Sequence, residues 1–300
     1  MTRAEHEPHA ATDAEWLELV AHVSDGGARY FTDNQLYCRY ARGRVQVTRY
    51  ISRRGKLGLA MVVVGLAIWI YGLKVDWGLS LVLGIAITLT GVAQVGLGVV
   101  TRRDPAAREP FQRLLERQLA TTPLPQLIQN PTLGSAGLEL APPRVECLLI
   151  VERDVLVDLL LKNDAQRRLC ALIISEHGYP ERLVPEARRL LDERSDLVVI
   201  TLHDATQHGV ELKSRLQGSQ ILPLGERKVI DAGLFAAEVG QIEELAAAFP
   251  ASAFTQVPVD ALSLPTLLSG LDGVTRGALS LAAGIYGEIA AGGSDSERAA

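Results

Sequence analysis

Cysteine is scarce in this 300-residue chain: Cys38, Cys147 and Cys170 are its 3 cysteines, and no two stand at CxxC spacing. Neither a disulfide framework nor a zinc cluster is therefore expected, and the three thiols read as apolar filler in a reducing compartment. Catalytic fingerprints are missing too. There is no G-x-x-x-x-G-K-[ST], no G-x-G-x-x-G after a strand, no G-x-S-x-G and no H-E-x-x-H, which counts against the cofactor and hydrolase classes those motifs mark. The first twelve residues hold two acids, two histidines and no apolar run. No signal peptide is expected there, and the N-terminus is expected in the cytoplasm.

What is present is uneven. Hydrophobic residues make up 48% and charged residues 22%, a globular composition that excludes wholesale disorder. From Leu57 to Val100 the only charges are Lys74 and Asp76, and this stretch lifts the mean hydropathy to +0.15. The expectation is a membrane protein. The net charge of −5 divides at Arg144 into +3 before it and −8 from it onward. An acidic C-terminal part repels a phosphate backbone at long range, so nucleic acid is not the expected partner, although a local site stays open.

Leu57–Leu73 and Trp77–Val100 are long enough for roughly 25 and 36 Å of helix, so both can span a bilayer. Lys74-Val75-Asp76 makes the tight turn between them, with Trp69, Tyr71 and Trp77 as an aromatic belt. Arg39, Arg42, Arg44, Arg49, Arg53, Arg54 and Lys56 precede the first span, and Arg102, Arg103 and Arg108 follow the second. By the positive-inside rule this is an inner (plasma) membrane hairpin with both termini cytoplasmic. Glycines recur every seven residues (Gly58, Gly65, Gly72 and Gly84, Gly91, Gly98), predicting close packing of the two helices. With no ionisable residue inside either span, an anchor is expected and not a channel.

Residues 1–56 form a cytosolic segment with a short helix over 13–24 and an arginine- and aromatic-rich stretch, Tyr37–Tyr50, whose expected partner is lipid headgroups. After the hairpin (57–100), residues 101–143 read as a helix over Phe111–Leu119 and a proline-rich linker. Residues 144–225 alternate apolar runs with amphipathic helices, the mark of an α/β domain with a mainly parallel sheet. Strands are predicted at Val145–Val151, Cys170–Ser175, Leu197–Leu202 and Gln220–Leu224, with helices at Asp154–Lys162, Pro185–Arg194 and Val210–Leu216. Residues 226–291 read as a helical extension, with a helix over Ala236–Phe249 and small-residue helices over Leu262–Ala291. Residues 292–300 form a tail expected to be disordered.

Ligands of such sheets gather outside the carboxyl ends of the strands. There the sequence puts Glu152, then Glu176-His177-Gly178, then His203-Asp204 with His208-Gly209 following. Strand ends are also ordinary places for polar residues, so the clustering has a purely structural reading beside the functional one.

Glu152, the turn Gly178-x-Pro180-x-Arg182 and the run from Asp204 to Gly209 resemble the topoisomerase-primase (Toprim) domain, closest to that of the topoisomerase VI A subunit. The resemblance covers about Val145–Leu224. It implies a Toprim or Rossmann-like fold and a divalent cation, Mg or Mn, held by Glu152 and an acidic pair. Asp204 and Gly209 match the outer positions of the family's D-x-D-P-x-G, but Thr206 and Gln207 stand where it has aspartate and proline. Losing one carboxylate weakens any Mg²⁺ site. His203 and His208, joining Glu152 and Asp204, would instead suit Mn²⁺, Fe²⁺ or Zn²⁺.

The chain thus reads as a membrane-anchored Toprim-like domain with a degenerate metal site, acting as a binding or regulatory module with a protein partner or a second copy of itself. Its first rival is a metal-dependent phosphodiester or phosphoryl-transfer enzyme with Glu152 and Asp204 as catalytic residues. The second is a small-nucleotide sensor, with Gly178, Gly209 and Arg182 at the ligand.

Overall fold

The computed structural model describes residues 13–43, 46–51, 53–75, 82–83, 85–90, 92, 99–104, 108–132, 141–225 and 227–287. The chain forms two compact units, one from Met1–Arg44 with Pro105–Ala300 and the other from Val45–Asp104. The first unit opens with α1 (Asp13–Val23), β1 (Phe31–Thr32) and α2 (Asp33–Gly43). The second holds β2 (Gln46–Ile51), α3 (Arg53–Val75) and β3 (Val99–Asp104). The first unit then continues through α4 (Arg108–Thr121), β4 (Leu127–Ile128), β5 (Cys147–Val151), α5 (Asp154–Lys162), α6 (Ala165–Arg168) and β6 (Ala171–Ser175). Next come α7 (Val184–Glu193), β7 (Val198–Leu202), α8 (Gln207–Val210), α9 (Leu212–Gln217) and β8 (Val229–Asp231). It ends with α10 (Ala236–Val239), α11 (Glu243–Ala248), α12 (Leu264–Thr275) and a last helix, α13, over 281–287.

The central sheet has the order β6-β5-β7-β8, parallel throughout. Its strands are apolar because both faces are covered: every residue of β5 and β6 is buried, as parallel sheets require. The chain steps from β5 to β6 on one side and then returns to β7 on the other. That reversal puts a topological switch point between β5 and β7, where a crevice opens at their carboxyl ends.

The α/β character and parallel sheet are as the sequence predicts, and the helix over Asp154–Lys162 is found on those residues. The fourth strand is not. Gln220–Leu224 is irregular, because the Ser219 hydroxyl accepts the N–H groups of Ile221 and Leu222 in a turn and Pro223 has no N–H to donate to a ladder. The fourth strand is Val229–Asp231. The helix predicted over Ala236–Phe249 divides into α10 and α11 around Gly240.

The N-terminal stretch departs further from expectation. Tyr37, Cys38 and Tyr40 do not face lipid headgroups but are buried in α2. The Tyr37 ring lies edge-on to Phe111 at 5.4 Å and to Phe249 at 5.7 Å. Asp33–Gly43 thereby joins the core of the first unit, tied to both α4 and the C-terminal extension. Part of the proline-rich segment is also structured, since β4 pairs in parallel with β1 and Thr132 binds the buried Asp158 through its N–H and hydroxyl at 2.8 and 2.9 Å.

In the second unit β2 and β3 pair antiparallel, from Gln46 opposite Asp104 to Ile51 opposite Val99. Within α3, Gly65 is buried, whereas Leu57, Leu59, Val63, Val64, Leu66, Ile70 and Tyr71 are exposed. Among the described residues, no helix is long and apolar enough to cross a membrane. Trp77, the other five glycines' packing and the tail 292–300 lie outside what is described.

Phe111→Ala removes the ring that Tyr37 and Tyr40 pack against. It is expected to cost about 3–5 kcal/mol of stability in urea denaturation, whereas Leu279→Ala, on an exposed side chain, leaves the midpoint unchanged.

Candidate functional site

Glu152 follows β5 and Asp204 follows β7, so the switch point brings the two together. Glu152 Oε2 accepts the Asp204 N–H at 2.8 Å, and the two residues are only 6% and 7% exposed. The Asp204 carboxylate is engaged in turn. Its Oδ1 accepts the Val259 N–H at 2.8 Å and Arg153 Nη2 at 3.1 Å. Its Oδ2 lies 2.8 Å from Arg153 Nε, in a contact too bent for a hydrogen bond that acts as an ion pair.

The same Arg153 Nη2 donates to Asp260 Oδ1 at 2.5 Å. Asp260 is fully buried. Both of its oxygens lie 3.1 Å from Asn34 Nδ2, and Arg108 Nη2 donates to Asn34 Oδ1 at 2.5 Å. This network joins residues 226 positions apart. It ties α2, α4, the end of β5, the end of β7 and the turn Val259–Ala261 into one polar junction.

Burial raises the cost of every charge here. It pushes the Asp204 carboxyl up to about 6, with Arg153 pulling it down and Asp260 pushing it up. Burial, then Asp260, also raises the Asp33 carboxyl. Burial works against the charge of Arg153, but Asp260 and Asp204 outweigh it and hold the guanidinium charged.

His203 is fully buried. Its Nδ1 lies 2.7 Å from the Asp204 carbonyl oxygen and its Nε2 3.0 Å from Asp231 Oδ1. Both ring nitrogens face acceptors, which favours the doubly protonated ring. Burial opposes that charge, yet Asp231 and the Asp204 carbonyl raise the pKa, and the Asp231 carboxyl is correspondingly lowered against its own burial.

His208 belongs elsewhere. Its side chain is 63% exposed and its Nε2 is 3.7 Å from Glu176 Oε1. Arg215 grips Glu176 through Nε and Nη2 at 3.0 and 2.8 Å. The four residues Glu152, Asp204, His203 and His208 therefore do not converge. Among the described residues, no group of three or more His, Cys, Asp or Glu is arranged to hold a metal ion.

Thr206 is the N-cap of α8, its Oγ1 accepting the Gly209 N–H at 2.8 Å. Gly209 does permit a close backbone approach, but to this chain's own residues. A Cβ there would stand 2.3 Å from the Asp204 carbonyl oxygen and 2.9 Å from Glu152 Oε2. Gly178, at φ +82°, makes the turn after β6. Arg182 is exposed on the 3-10 turn Glu181–Leu183, beyond β6 and so on the far side of β5 from Asp204.

Sequence reading missed Arg153, Asp260, Asn34 and Arg108. Arg153 and Asp260 are 107 positions apart, and no local spacing announces such a pair. It also missed clefts of ligand size whose linings include no strand-end residue. One of ≈ 420 Å³ is lined by residues including His22, Arg29, Arg39, Arg42, Glu244 and Ser263. A second, of ≈ 370 Å³, shares His22, Arg39 and Arg42, and a third, of ≈ 540 Å³, is lined by Asp13, Leu17, Arg117, Gln118, Thr121 and Thr122.

Two outcomes are expected. Gly209→Ala should lower stability by at least about 2 kcal/mol, because backbone stands in the way of the new methyl. Because the Asp204 pKa is raised on folding, the proton it takes up stabilises the fold at pH 4 and below, and this contribution is lost as pH rises through about 6. Wild-type stability minus that of Asp204→Asn, measured by urea denaturation, should therefore fall between pH 4 and pH 7. Comparison of the chain with protein families, with curated proteins and with solved structures finds no match.

Proposed function

We propose that this chain is a membrane-anchored, Toprim-like α/β module that binds a partner or regulates one and does not catalyse. One observation carries the reading: the strand-end acids that a metal-dependent enzyme would leave open are already bonded. Glu152 holds the Asp204 N–H, and Asp204 holds Arg153 and the Val259 N–H. A hard divalent cation needs several carboxylate oxygens and open positions for water or phosphate. This donor set does not fit one, so no metal step is assigned.

Support for the Toprim-like part comes from the strand order and from Glu152 and Asp204 meeting at the ends of adjacent parallel strands. Support for the anchor comes from the apolar side chains exposed along α3, an arrangement that suits lipid. The antiparallel register of β2 and β3 also brings the two ends of the intervening segment together, as a hairpin with both ends on one face of an inner membrane requires. The bilayer is the first partner. A protein or a second copy of the chain is the second.

A small-ligand sensor is a second reading, favoured by the ≈ 420 Å³ cleft, which is in the size range of small-molecule sites. The ligand would then lie by Arg39 and Arg42 and not at Gly178 or Gly209.

Full-length protein in detergent, assayed for nuclease and nucleotide hydrolysis with Mg²⁺ or Mn²⁺, is expected to show no turnover above that of Glu152→Ala, Asp204→Ala. Turnover that the double variant loses would establish the enzyme instead. For topology, reporters fused after Arg103 and after Ala300 should both read cytoplasmic, and a periplasmic signal from either removes the hairpin.

A further inference from the structure

Three carboxylates, Glu152, Asp204 and Asp260, are buried at 6%, 7% and 0% exposure around the carboxyl ends of β5 and β7. Such a group cannot stay ionised in a protein interior without a compensating cation or donors. For Asp204 and Asp260 the compensation comes from the residue after Glu152, while Glu152 itself accepts the Asp204 N–H. Arg153 presents Nε and Nη2 to Asp204 at 2.8 and 3.1 Å, and the same Nη2 to Asp260 at 2.5 Å. Its planar fork suits two carboxylates, and its charge is permanent at any working pH.

We infer that Arg153 is a built-in cation: it occupies the place that the strand-end acids would otherwise offer to a divalent metal ion, and the site is independent of metal for that reason. The geometry around it supports this. The Val259 N–H and Asn34 Nδ2 supply the remaining donors to Asp204 and Asp260, so the acids are satisfied by the protein alone. A metal ion that took the Asp204 and Asp260 oxygens facing Arg153 would have to displace the guanidinium.

The consequence runs against the usual effect of deleting a charged side chain: removing Arg153 should create a metal site. Without the guanidinium, Asp204 and Asp260 become an uncompensated buried pair, and a small hard cation between the two is the natural replacement.

The test uses the full-length protein in detergent with Mn²⁺ alone as probe. Free Mn²⁺ is read by electron paramagnetic resonance and stability by thermal denaturation. Wild type is expected to leave the Mn²⁺ signal unchanged below millimolar concentration. Arg153→Ala and the bulkier Arg153→Gln should bind Mn²⁺ at least about tenfold more tightly than wild type, because each leaves the acids uncompensated. Each should also gain thermal stability from Mn²⁺, and both gains should vanish when Asp204→Asn is added.

Mn²⁺ binding by wild type that Asp204→Asn abolishes would overturn the inference. So would folded Arg153 variants with no more affinity than wild type, or unfolded ones that Mn²⁺ fails to rescue. The inference goes beyond the proposed role, and the two fail separately. An inactive wild-type protein that binds Mn²⁺ through Asp204 refutes the built-in cation and leaves the non-catalytic module standing.

Discussion

The guanidinium of Arg153 between Asp204 and Asp260 is the contact on which the rest of the first unit depends. Without it, Asp204 at the end of β7 and Asp260 beside it would have to be hydrated, protonated or metal-bound. With it, the end of β7, the turn Val259–Ala261 and, through Asn34 and Arg108, helices α2 and α4 converge on one point. The N-terminal helices and the C-terminal extension are therefore part of the α/β fold, because its polar junction is completed by residues from both.

The strand-end crevice of an open α/β sheet is ordinarily where ligands bind. Here that crevice is filled by the protein's own groups. The glycine that allows a close approach, Gly209, admits Glu152 and the Asp204 carbonyl. The threonine in place of a second aspartate caps a helix. The histidine beside them is buried between a carbonyl and Asp231. Gly209, Thr206 and the Nδ1 of His203 are thus all taken up by contacts within the chain. Clefts of ligand size lie instead against α1, α2 and α4, two of them sharing His22, Arg39 and Arg42.

How far the sequence could be read follows from the range of the interactions. Helix α5 was legible to the residue, because its apolar spacing and the acid in its first turn are local signals. Strands β5, β6 and β7 were legible within a residue or two, because a strand buried on both faces is a short apolar run. The fourth strand was misplaced, because the apolar run at Gln220–Leu224 is held in a turn by Ser219 while the three-residue strand Val229–Asp231 carries little pattern of its own.

Sequence alone determined the α/β class, the parallel sheet, the apolar segment from Leu57 to Val100 and the presence of Glu152 and Asp204 at strand ends. These depend on periodicity and composition, which neighbouring residues set among themselves. Only the tertiary structure decided what those acids do. The partners of Asp204, Arg153 and Val259, and the Asp260 that shares Arg153 with it, are brought in by chain reversals that no local pattern encodes. Tyr37 and Tyr40 show the same division: beside arginines they read as a lipid-facing stretch, and Phe111 and Phe249, far away in the chain, make them core.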